Sequence, residues 1–107
     1  MHREFQNKKL IAKSKEAPVG EEILNVVFNI AETLLEKNIS YGNSALDPLN
    51  IFGDLSPEDG LYCRINDKLT RIFYNQDYKE EKMIDAVNDL IGYLILLRVL
   101  FDQQENL

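Results

Sequence analysis

The chain has no tryptophan, a single histidine (His2) and a single cysteine (Cys63), and these scarcities remove much chemistry at once. One cysteine cannot form an intrachain disulfide, which fits a reducing, cytoplasmic setting, the host cytoplasm if the chain is phage-encoded. One histidine near the N-terminus cannot build a Cys-His nucleophile pair or a histidine metal cluster within a subunit, and zinc has no ligand set. Basic charge is also scarce: 12 Lys and Arg stand against 18 Asp and Glu, a net charge of −6. Duplex nucleic acid is therefore not an expected partner, because such binding neutralises many phosphates with Lys and Arg. There is no long apolar run either. Leu90 to Leu97 is strongly apolar but is closed by Arg98, well short of the roughly 20 residues that span a bilayer, so no membrane segment and no signal peptide are expected.

What remains is a single helical domain over residues 1–107. Residues 1–17 read as a basic N-terminal arm: Arg3, Lys8, Lys9, Lys13 and Lys15 face Glu4 and Glu16 over residues 1–16, a net of +3, leaving −9 for the rest. After Ala17-Pro18-Val19-Gly20, the apolar spacing predicts a helix from Glu21 to about Lys37, with Glu22, Asn25, Asn29, Glu32 and Glu36 on its polar face. Residues 38–55 carry Gly42, Asn43, Asp47-Pro48 and Gly53 and read as a long loop, folded over the helices as a partial lid. Ser56-Pro57-Glu58-Asp59 is a strong helix start, and the second helix should reach about Tyr74 with Ile65, Leu69, Ile72 and Phe73 as its core stripe. Asp77-Tyr78-Lys79-Glu80 resembles a capping box and opens a third helix to about Asp102. Its segment Leu90 to Phe101 is apolar nearly all round, more than two other helices can cover, which predicts a homo-oligomer, at least a dimer.

The most informative residues lie on that third helix. Asp85, Asp89 and Tyr93 are one turn apart in DAVNDLIGYLILLR, and two acids on the buried side of an apolar helix require cationic compensation. Carboxylates on facing helices suit Mg²⁺, which takes hard oxygen ligands and bridges to substrate phosphates. Asp85 and Asp89 would supply one half-site and Glu32 and Glu36 the other, while Lys68 and Arg71 would hold phosphate. The expected ligand pocket is lined by Tyr41, Asn43, Lys68, Arg71, Asp85, Asp89 and Tyr93, combining aromatic area for a base with charges for phosphate and ribose. The plainer alternative is a set of solvated helix faces, with Asp67 pairing Arg71 at i, i+4.

Three segments, EKNISYGNS, RINDKLTRI and DAVNDLIGYLILL, together resemble the phage and bacterial nucleotide-modification-associated proteins related to the all-α MazG-like nucleotide pyrophosphohydrolases, over about residues 30–98. The resemblance implies an all-α, MazG-like helical bundle, completed by oligomerisation, in which acids of an ExxE and a later ExxD motif bind Mg²⁺ for cleavage of a nucleoside triphosphate. This chain departs from both motifs. Asn25 stands where the first motif ends in an acid, and alignment of Asp89 with the Asp of ExxD puts Ala86 in place of the Glu. Loss of ligands harms metal-dependent chemistry more than binding. The reading is therefore a phage-type protein that captures a linear or cyclic nucleotide, such as a host defence signal, without turnover. The alternative is a Mg²⁺-dependent MazG-like pyrophosphohydrolase or an accessory protein of nucleotide modification, and a helical interaction module without a small ligand is a third.

Overall fold

A computed structural model describes residues 2–47, 56–74 and 80–105, and every element among them is helical: α1 (His2–Glu16), α2 (Gly20–Ser40), α3 (Pro57–Tyr74) and α4 (Glu80–Glu105). The chain divides into two compact units, Met1–Leu35 and Glu36–Leu107.

In the first unit, the basic arm is a helix. Between His2 and Glu16 there is neither Gly nor Pro, and Lys, Glu, Gln, Leu and Ala are good helix formers, so local propensity decides the matter where charge pattern alone suggested a tail. Pro18 ends α1, and Ala17 turns the chain, its N–H donating to the Lys13 carbonyl and its own carbonyl accepting from Gly20, both at 3.2 Å. Ser14 is buried and donates its hydroxyl to the Ile11 carbonyl at 2.6 Å. Gly20 is buried against the Ser14 main chain; a Cβ there would lie 2.6 Å from the Ser14 carbonyl carbon, so only glycine permits this tight joint. Glu21 and Glu22 then sit in the first turn of α2, near its positive dipole end, and Ile30 is buried.

The last turn of α2 belongs to the second unit and runs three residues beyond the expected Lys37. The Tyr41 N–H still bonds the Lys37 carbonyl at 2.9 Å, and the chain turns at Gly42, whose φ of 62° is left-handed. Residues 41–47 are turns, held in part by the Leu46 and Asp47 N–H groups on the Asn43 carbonyl; the rest of the expected lid, 48–55, lies outside the described residues, as does the capping segment 77–79.

α3 begins as its sequence demands. The Ser56 hydroxyl accepts the Asp59 N–H at 3.1 Å, and Pro57 occupies the first helical position. It lies antiparallel to α4, because Glu58 meets Gln104 at one end, Arg64 stacks over Tyr93 further along, and Lys68 reaches Asp89. The shared core is Leu61, Ala86 and Leu100. This corrects the expected α3 stripe: Phe73 is 73% exposed, and the inward line is Leu61, Ile65, Lys68 and Ile72, whose steps of four, three and four hold a tighter face than 65, 69, 72 and 73. Among the described residues, no helix is long and apolar enough to cross a membrane.

Candidate functional site

The inward line of α3 contains a lysine where the pattern calls for an apolar residue, and α4 presents an aspartate to it. The Lys68 Nζ is 3.1 Å from the Asp89 Oδ2, and the Lys37 Nζ, from the last turn of α2, is 3.3 Å from the Asp89 Oδ1. Each oxygen of one partly buried carboxylate thus faces its own ammonium. The compensation that an acid on an apolar helix requires is present, and it arrives from two other helices.

Beside this triad an open cleft of about 350 Å³ is lined by Lys68, Arg71, Lys82, Asp85, Ala86 and Asp89. The helical repeat explains the grouping. Lys82, Asp85, Ala86 and Asp89 are spaced three, one and three apart, on one side of α4, while Lys68 and Arg71 are three apart on α3. Ala86, which also lines the cleft, is buried. Arg71 also meets Asp67 at 3.2 Å, the expected i, i+4 pair. Asp85 is exposed on the cleft wall instead of buried.

Of the seven expected ligand-binding residues, the cleft gathers Lys68, Arg71, Asp85 and Asp89. Tyr93 sits one turn beyond Asp89 with its ring 5.9 Å from the Arg64 guanidinium carbon. Tyr41 and Asn43 are exposed in the turns after α2. Sequence reasoning missed Lys82, although its spacing from Asp85 and Asp89 could have revealed it. It also missed Lys37, for which no local signal exists, 52 residues from Asp89.

For Mg²⁺, Glu36 is exposed and is not a lining residue, and Glu32 belongs to the other unit. Among the described residues no group of three His, Cys, Asp or Glu side chains is placed to hold a metal ion. Asp85 and Asp89 suit Mg²⁺ only if phosphate oxygens and water complete the shell, which is the usual manner of Mg²⁺ at nucleotides. Chemically, the cleft sets three cations beside two carboxylates, with Lys68 already paired to Asp89 and Arg71 to Asp67. No protein-family model, curated protein or solved structure matches this chain.

Proposed function

We propose that the cleft binds the phosphate groups of a nucleotide and that the protein captures this ligand without turnover. The observation that carries the reading is the convergence of Lys68, Arg71 and Lys82 on the same cleft as Asp85 and Asp89. The cations exceed the carboxylates of the lining by one, which suits an anion, and the carboxylates suit ribose hydroxyls or a phosphate-bound Mg²⁺. Capture is favoured over hydrolysis because Asp89 is already compensated by two lysines and Ala86 stands where the MazG-like motif has an acid. The same reading holds the fold to be a MazG-like bundle completed by a second copy, acting in the cytoplasm in a phage-type setting.

The test is to incubate the protein with nucleoside triphosphates and cyclic nucleotides, with and without Mg²⁺, measure binding calorimetrically, then denature it and weigh what is released. Intact ligand is expected in both conditions. Recovery of monophosphate and pyrophosphate would replace capture by the pyrophosphohydrolase alternative, and no binding of any nucleotide would remove both.

A further inference from the structure

Asp89 has a different partner on each oxygen, and the two partners are placed differently. Lys68 lies in the packed line of α3 and lines the cleft. Lys37 comes from the last turn of α2, its side chain is half exposed, and it does not line the cleft. All three residues belong to the compact unit Glu36–Leu107. One carboxylate needs one ammonium to balance its charge, so Lys37 is nearly redundant as long as Lys68 serves Asp89 alone.

The redundancy ends when Lys68 serves an anion. Lys68 has three N–H donors but a single positive charge. Once a phosphate oxygen takes up that charge, the partly buried Asp89 carboxylate stands beside a second anion, and both the repulsion and its incomplete hydration oppose binding. Lys37 is placed to cancel this, because its Nζ is already 3.3 Å from Oδ1, the oxygen that Lys68 does not use. We infer that Lys37 is a positioning residue for anion binding: without touching the ligand, it holds Asp89 so that Lys68 can turn to the phosphate. This role of Lys37 rests on the phosphate reading of the cleft proposed above. It is small in folding and large in affinity, since it comes into play only on binding. The coupling is also reciprocal: a bound anion tightens the hold of Asp89 on the last turn of α2 by the factor by which that hold favours the anion.

The test is a double-mutant cycle on the full chain, read by titration calorimetry with inorganic triphosphate, which carries the phosphate chain of a nucleotide whatever its base. Metal-free buffer at about 0.15 M salt screens charges more than about 8 Å apart. Lys37→Ala should weaken binding about tenfold and Lys37→Arg by less than about twofold, whereas Asp89→Asn should strengthen it about tenfold, since Lys68 is then released entirely. In the Asp89→Asn background, Lys37→Ala should change affinity by less than about twofold. At saturation, triphosphate should slow amide exchange in the last turn of α2 of the wild type and leave it unaltered in Lys37→Ala. An effect of Lys37→Ala that persists undiminished in the Asp89→Asn background would make Lys37 a direct ligand contact and overturn the proposal. Unchanged affinity in Lys37→Ala, or weaker binding in Asp89→Asn, would overturn it equally while leaving the phosphate reading in place. If triphosphate binds neither the wild type nor any variant, the phosphate reading fails and the role of Lys37 fails with it.

Discussion

Lys68 and Asp89 form the most sheltered ion pair among the described residues, their side chains 15% and 27% exposed, and the lysine reaches the carboxylate from within the line that packs α3 on α4. A pair in that position is part of the packing. Asp89→Asn removes the charge that both Lys68 and Lys37 answer and should cost about 1–2 kcal/mol, read from the urea midpoint. Lys37→Ala, with its side chain half exposed, should cost only a few tenths. Equal effects would show that Lys37 alone accounts for the contribution of Asp89, contrary to the exposure of its side chain.

Arg71→Ala should weaken nucleotide binding by about 1.5–3 kcal/mol, roughly ten- to hundredfold, because a charge-assisted contact is lost. Lys82→Ala should weaken it in the same direction, and the two should leave the helix content unchanged because both residues lie on the cleft wall. Titration calorimetry at fixed salt decides this. Unaltered affinity in both variants would remove the phosphate role of the cleft.

Gly20→Ala should strain the joint between α1 and α2 by about 1–3 kcal/mol, since the obstructing atoms are Ser14 main chain and cannot rotate aside. The readout is amide exchange across His2–Glu16, which should accelerate by tenfold or more while Pro57–Tyr74 is unaffected. By contrast, Gly42→Ala meets open space and pays only the left-handed backbone cost of about 1 kcal/mol, most of it recovered by Gly42→Asn.

Ser56→Ala removes the cap on the Asp59 N–H and should lower stability by about 1 kcal/mol; Ser56→Gly should cost a few tenths. Thermal denaturation followed at the helix signal gives both values. A silent Ser56→Ala would mean that water replaces the hydroxyl fully at this exposed end.

The helices themselves were legible where local chemistry sets them. Ser56-Pro57 and Tyr74 bound α3 as expected, and the third predicted helix, α4, was found with its C-terminal end only three residues further on, at Glu105. Where two local signals compete, propensity prevails: the lysines of residues 1–16 mark the segment as a charged arm, but their helix propensity governs the backbone. Asn38 similarly suggested an early end to α2, yet the turn waits for Gly42. Of the site, the α4 acids and the α3 cations were visible because each pair repeats at helical spacing. The Lys37–Asp89 contact was not, since nothing in either neighbourhood specifies a partner so distant in sequence. The displacement of the α3 stripe from Phe73 to Leu61 has a related cause: Lys68 interrupts the apolar pattern on the true inward face, and a reading that scores hydrophobicity alone rotates away from it.

The carboxylate of Asp89 also sets an entry condition for ligands. An anion arriving in the cleft meets a lysine whose positive charge is already claimed by a competitor on the same chain, present at high effective concentration and never lost by dilution. A singly charged visitor offers Lys68 nothing better than what it has. A chain of phosphates can engage Lys82 and compete with Asp67 for Arg71 at the same time, so that its gain accumulates across several contacts. If the cleft takes the proposed ligand, the Asp89–Lys68 pair sets the threshold that the ligand's charge must exceed.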